Sequence, residues 1–343
     1  MKILITGNRG YLGRVLHDLL RGDGHDVGGF DIGLFEANFA SSLCDIRDIK
    51  GSDIASFDAV VHLAAVCNDA CGELSASATH AINHAATVRL ATLARNVGVG
   101  RFVLASSCSV YGHTSLSEVD ESSQVAPLTA YAASKFAAER ALLGLATDGF
   151  CPVALRFATL FGPSAAFRSD ILLNRMVGTA VRRGVVHVNG PDIRRPMLHV
   201  HDAARAIAHV LSAETSLVRV GVYNVGCTTL NHKLDEVADM VRQAVPTAEI
   251  RHRPATDQRT YTVRFDRFRD AFPTWSPQRA VDDGAGELAS FYGSEAARRQ
   301  VPAVGWGSTD RLAHLLALSS ADLIGPDLRP VPRFERECPA PQA

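Results

Sequence analysis

Membrane-length apolar runs, paired cysteines, metal-ligand spacings, internal repeats and an excess of either charge are all missing from this 343-residue sequence. Each absence removes a class of protein. The apolar opening Met1-Lys-Ile-Leu-Ile-Thr6 turns glycine-rich within six residues, too short for a signal peptide or a membrane span, so a cytoplasmic protein is expected. The cysteines at 44, 67, 71, 108, 151, 227 and 338 form no Cys-x-x-Cys pair, which points to reduced thiols and no metal. With 35 basic against 36 acidic side chains, net charge calls for neither a nucleic-acid nor a membrane partner.

What remains is ordinary globular composition, 47% apolar and 21% charged, in a chain long enough for an α/β unit with an appended lobe. Lys2-Ile-Leu-Ile-Thr6 has the pattern of a buried parallel strand. Gly7-x-x-Gly10-Tyr11-Leu12-Gly13 follows, and Val15, Leu16, Leu19 and Leu20 then recur at helical spacing. Strand, glycine loop and helix are the parts of a phosphate cradle: glycine admits close backbone approach and a helix N-terminus attracts a diphosphate. The next strand, from His25, ends at Asp31, whose carboxylate can accept from adenosine ribose hydroxyls and would repel a 2′-phosphate. No basic residue stands between Asp31 and Arg47. NAD is expected in preference to NADP.

A short third strand is expected to end at Cys44-Asp45-Ile46, where Asp45 either reaches the adenine amino group or is a solvated loop carboxylate. A fourth, from Ala59, runs through His62 into Leu63-Ala64-Ala65, a small-residue turn that lets backbone pass near the cofactor; His62 reads as a packed strand-end histidine. An alanine-rich helix over 76–97 carries Asn83, and the strand 101–105 exits at Ser106-Ser107-Cys108-Ser109. Open α/β sheets place their sites at such carboxyl ends. Tyr131 and Lys135 share a helix face about a turn apart, where the ammonium favours the phenolate and makes Tyr131 a candidate acid/base. The alternation implies an α/β fold: a Rossmann-type doubly wound parallel sheet over 1–163, rejoined by 196–226. A smaller C-terminal substrate-binding lobe is expected from 164–195 and 227–325. The tail 326–343 holds five prolines and reads as an extended or disordered arm.

The combination resembles an extended short-chain dehydrogenase/reductase of the nucleotide-sugar epimerase/dehydratase group. Thr6-Gly7-x-x-Gly10-Tyr-Leu-Gly13, His62-Leu-Ala-Ala65, Ser106-Ser-Cys-Ser-Val-Tyr-Gly112, Tyr131-x-x-x-Lys135 and Leu155-Arg156…Phe161-Gly-Pro163 carry the resemblance in the expected order. Arg195…His199-Val-x-Asp202 and Asp257-x-Arg259-x-Tyr261 extend it to about residue 295. It implies bound NAD that takes a hydride from a sugar carbon and returns it. Ser107 would be the catalytic hydroxyl, Tyr131 the acid/base and Lys135 the ribose contact. Cofactor contacts are expected from Gly7, Gly10, Tyr11, Leu12, Gly13, Asp31, Asp45, Ile46, Leu63, Ala64, Ala65, Tyr131 and Lys135. A nucleotide-diphosphate sugar needs charged donors, for which Arg195 and Arg259 match the family positions, with Arg168 and Asn174 as weaker candidates. A homodimer is expected through the helices around 76–97 and 131–146.

The two positions after Ser107 bear on the subtype. In family members that eliminate water they are typically Asp and Glu; here they are Cys108 and Ser109. A C4 epimerase needs no further acid or base and fits best. Cys108 leaves a keto-sugar reductase, a 3- or 5-epimerase or an atypical dehydratase open, since a thiol beside the substrate could exchange a proton; it could equally pack as a small hydrophobe. Intact Ser107, Tyr131 and Lys135 argue against a non-catalytic NAD-binding regulator. Thr159 stands where the family has asparagine.

Overall fold

The computed structural model describes residues 1–35, 44–114, 116–218, 221–255, 259–302 and 305–331. Six strands, β1 (Lys2–Thr6), β2 (Asp26–Phe30), β3 (Ala59–His62), β4 (Arg101–Ser107), β5 (Cys151–Phe157) and β6 (Val222–Val225), make one sheet in the order β6-β5-β4-β3-β1-β2. Every pairing in it is parallel. Because crossover helices cover both faces, the central strands are apolar on both sides: Ile3 and Ile5 face α1 (Tyr11–Gly22), while Leu4 packs with Phe102 and Leu90 on the opposite face. Each such fully buried side chain contributes about 1.5–3 kcal/mol. The chain turns from β1 to β2 on one side and reaches β3 on the other, opening a crevice at the carboxyl ends.

The third strand expected before Asp45 falls largely on 36–43, outside the described residues; Cys44 and Asp45 themselves lie in no strand. The expected single helix over 76–97 is broken: α-helical turns Ala76–His80 and Thr87–Asn96 flank a π-helical stretch, Ala81–Ala86. The wider turn seats Asn83, fully buried, against the strand exit. Its Oδ1 accepts from the Val66 N–H at 2.8 Å, and its Nδ2 donates to the Val66 carbonyl at 3.0 Å and the Ser134 hydroxyl at 3.1 Å. His62 is the packed strand-end residue expected, bonded between Thr6 and Thr87, with burial holding its pKa down at about 3.

The helix bearing Tyr131, here α3 (Ala130–Leu143) after α2 (Asp69–Leu74), is bound to the sheet by charge as well as packing. Lys135 Nζ donates to the Ala105 carbonyl at 2.8 Å. One turn on, Glu139, 1% exposed, receives a forked pair of hydrogen bonds from Arg156 of β5, at 3.1 and 2.8 Å, and a short one from the Ser106 hydroxyl. Arg156 also donates to Tyr111, whose hydroxyl donates to Asn224 of β6. Tyr131, Lys135 and Glu139 thus repeat at four-residue spacing along one helix face, and the last two fix the register of the first.

A second apolar cluster joins α4 (Leu172–Arg183), α6 (Leu234–Ala244) and α7 (Val281–Gly293), whereas α5 (Val200–Ser212) returns to the main sheet. The last helix, α8 (Arg311–Ser320), leads into a segment read from sequence as an arm. Its described part does not extend away: Leu328 is 4% exposed, Pro330 pairs with Ile324, and Arg329 meets Asp48 at 3.0 Å. Residues 332–343 lie outside the described residues. No described helix is long and apolar enough to cross a membrane.

Removing Glu139 leaves a buried guanidinium unpaired, so Glu139→Ala should cost about 3–5 kcal/mol in urea unfolding. The double change Glu139→Leu, Arg156→Met should cost less than Glu139→Ala alone. Loss below about 1 kcal/mol in the single variant would show the pair does not hold the helix.

Candidate active site

A cleft of about 490 Å³ runs across the carboxyl ends of β1, β3 and β4, and its glycine floor is obligatory. Gly7 sits at φ +76°, and a Cβ there would lie 2.7 Å from the Ala64 nitrogen; one on Gly13 would lie 2.1 Å from the Gly7 carbonyl oxygen. Gly10 is the N-cap of α1 without a side-chain cap, leaving the first N–H groups of the helix for a ligand. Gly7, Gly10, Tyr11, Leu12 and Gly13 line the cleft together with Asp31, Asp45, Ile46, Leu63, Ala64 and Ala65. The Asp31 carboxylate accepts from the backbone N–H groups of Gly33, at 2.7 Å, and Arg9, at 3.1 Å, which fixes it at the rim. Asp45 is not a free loop carboxylate: Arg47 grips both its oxygens, at 2.9 and 2.6 Å.

Deeper in the cleft, β4 delivers Ser107 and α3 delivers Tyr131. The Ser107 hydroxyl accepts from the Ser109 N–H at 3.1 Å and lies close enough to the Tyr131 phenol to favour its ionisation. Burial pushes the phenol's pKa well above 10, reinforced by Cys67 and Asp69 and opposed by the Ser107 hydroxyl and the Arg168 charge. This corrects the expectation of a lowered tyrosine. Lys135, whose own pKa burial holds down, aims its ammonium at the Ala105 carbonyl, so in the protein alone Tyr131 is a phenol. Cys108 is 4% exposed; its thiol donates to the Arg156 carbonyl at 3.3 Å, and burial pushes it upward in spite of Arg156.

The outer half of the cleft brings Arg168, Arg195 and Arg259 together, each already engaged. Arg168 forms a forked ion pair with Asp170, at 2.9 and 2.7 Å. Arg259 meets Asp69 at 2.7 Å, and Arg195 donates to the Arg259 carbonyl at 2.6 Å. Asn174 does not line the cleft. It is fully buried behind the wall, where Oδ1 accepts from the Gly162 N–H at 3.0 Å and Nδ2 donates to the Arg168 carbonyl at 2.8 Å.

The sequence marks the loop Val66–Gly72 and the extension beyond 295 as departures from the commonest 4-epimerases that could tailor the pocket, without naming which of their residues line it. Cys67 and Asp69 bear directly on Tyr131, and between them Asn68 has φ +71° and ψ 161°, a conformation that costs about 1–3 kcal/mol outside glycine. Its side chain holds the strained turn by accepting from the Cys71 N–H and donating to Asp170, both at 2.8 Å. Arg311, Leu315 and Leu328 also line the cleft, from the C-terminal segment.

The model of the NAD dependent epimerase/dehydratase family matches residues 3–226, more than half of the chain. The chain belongs to this family. A dTDP-glucose 4,6-dehydratase of Streptomyces niveus is 31% identical over 325 residues, covering 85% of this chain and 93% of the relative. A UDP-glucose 4-epimerase of Corynebacterium glutamicum is 27% identical, over 88% and 100%. Among solved structures, MoeE5 in complex with UDP-glucuronic acid and NAD superposes with a TM-score of 0.75 at 26% identity, covering 87% of this chain and 99% of that one. The protein is therefore an enzyme of the extended short-chain dehydrogenase/reductase type, and NAD is its cofactor. The cradle fits that cofactor: glycines that tolerate no Cβ, an uncapped helix start and a fixed rim carboxylate.

Because Asp31 would face a 2′-phosphate, NAD should bind at least about 10-fold more tightly than NADP in calorimetry, a difference of about 1.4 kcal/mol. Asp31→Ala, Ile32→Arg should narrow the gap. NADP binding as tight as NAD would refute the assignment of Asp31 to the ribose.

Proposed function

We propose that the enzyme inverts C4 of a nucleotide-diphosphate sugar through a transient keto-sugar. The observation that carries the reading is the convergence of Ser107, Tyr131 and Lys135 on the floor of the cleft, beside positions 108 and 109 that hold no carboxylate. Bound NAD, held by the glycine loop and Asp31, would supply the hydride acceptor and donor. Once its own proton has passed to solvent, Tyr131 as phenolate would take the C4 hydroxyl proton as the carbon–hydrogen bond breaks and would return it to the product oxygen, with Ser107 donating to that same oxygen. Burial opposes the phenolate, so the nearby Ser107 hydroxyl and the Arg168 charge, which favour it, act in the direction the proton transfer requires. Lys135, whose ammonium donates to the Ala105 carbonyl, is proposed as the ribose contact.

The substrate class rests on UDP-sugars being the ligands of MoeE5 and on the epimerase relative from Corynebacterium glutamicum. Arg195 and Arg259 are the proposed diphosphate donors. Arg259 would exchange Asp69 for phosphate, an ion pair whose carboxylate side chain is 31% exposed and so free to rehydrate. The similarity to a 4,6-dehydratase supports a second reading, dehydration, for which this chain lacks carboxylates after Ser107. The buried Cys108 thiol, bonded to the Arg156 carbonyl, is a poor substitute base.

Isotopes separate the two. A sugar nucleotide deuterated at C4 should keep its label at C4 in the inverted product, and turnover in D2O should place no deuterium on carbon. Solvent deuterium entering C3, C5 or C6 at the turnover rate, or a 4-keto-6-deoxy product, would overturn the proposal.

A further inference from the structure

The segment after residue 306 closes one side of the cleft and brings in a cation that neither the family match nor the catalytic reading uses. It is tied down at several points. The Ser169 N–H donates to the Thr309 carbonyl at 2.9 Å, and Asp310, the N-cap of α8, pairs with Arg175 at 2.6 Å. His314 Nε2 meets the Leu34 carbonyl at 2.8 Å, and Arg47 donates to the Asp327 carbonyl at 2.8 Å. Leu315 and Leu328 share an apolar cluster with Leu34 and Val66, so the segment packs on the strand-end loop that presents Asp31.

Arg311 stands at the first turn of α8 with 6% exposure, lining the cleft. Its guanidinium lies 3.9 Å from the centre of the Phe35 ring and donates to the Ser308 carbonyl at 3.2 Å. Arg47, Arg168 and Arg259 each have a carboxylate partner, but Arg311 has none among the described residues. A buried guanidinium with no carboxylate in ion-pair contact is costly unless an anion completes it. Its surroundings bear this out: burial and the Arg168 charge pull its pKa down to about 10, against Asp170, Cys67 and Asp31.

We propose that Arg311 binds the diphosphate of NAD, with the segment 308–331 acting as a clasp over the adenosine half of the cofactor. The anion is the dinucleotide's because Arg311 is stacked on Phe35, four residues beyond the rim carboxylate Asp31, and rests on the loop that carries both. A planar fork with several donors suits two phosphates better than a lysine would.

The test is equilibrium binding of NAD, ADP-ribose and adenosine to Arg311→Met and Arg311→Lys, with UDP binding measured at saturating NAD. Loss of a charge-assisted contact should weaken NAD and ADP-ribose by about 10–100-fold in the Met variant, less in the Lys variant. Adenosine, which carries no phosphate, should bind as in the wild type and so report an intact cleft. Unchanged ADP-ribose affinity would overturn the proposal. So would equal losses for adenosine and ADP-ribose, which would make Arg311 a packing residue. A loss confined to UDP would give the guanidinium to the second nucleotide and also overturn it.

Discussion

The buried pair of Glu139 and Arg156 is the constraint from which the rest of the site follows. It crosses from helix to sheet in a region with almost no water, where an isolated charge would be unstable and a paired one is strongly directional. Glu139 also holds Ser106, the residue before the catalytic-hydroxyl candidate, so one carboxylate sets both the rotation of α3 and the end of β4. Tyr131 stands eight residues before Glu139 on the same helix face. Its meeting with Ser107 is therefore decided two turns away, by groups that never touch a substrate.

Around that frame the cleft is assembled from parts that differ in rigidity. The cofactor side is backbone and glycine, with contacts so close that no side chain fits. The outer side is a set of ion pairs, Arg168 with Asp170 and Arg259 with Asp69, of which the second has the more exposed carboxylate. The strained turn at Asn68 links the two, since its neighbours Cys67 and Asp69 both act on Tyr131. In the proposed reaction, proton transfer and substrate binding share one short loop.

Much of this was legible in the sequence. Strand, glycine loop and helix need only local pattern, and the cleft is lined by the glycines, Asp31 and the 63–65 turn read from that pattern. The strand end at Ser107 and the helical spacing of Tyr131 were equally local. What escaped depends on side-chain partners that periodicity does not reveal, whether far along the chain or two residues away. The fate of Asn174 was set by Gly162 and the Arg168 carbonyl, and that of Asp45 by Arg47. The phenol's upward shift follows from burial, which spacing on a helix cannot register. Glu139 continues the four-residue rhythm of Tyr131 and Lys135 and could have been noticed; Arg311 could not, because its significance lies in burial without an ion-paired carboxylate.

The central claim is that a proton moves through Tyr131 in a cleft already built to hold NAD. The most direct measurement is turnover of Tyr131→Phe on a nucleotide-diphosphate sugar, made alongside its unfolding curve and its NAD content. The account predicts wild-type folding and NAD binding with turnover reduced by about 10²-fold or more, because only the acid/base group has gone. Turnover near that of the wild type, with NAD bound, would contradict it.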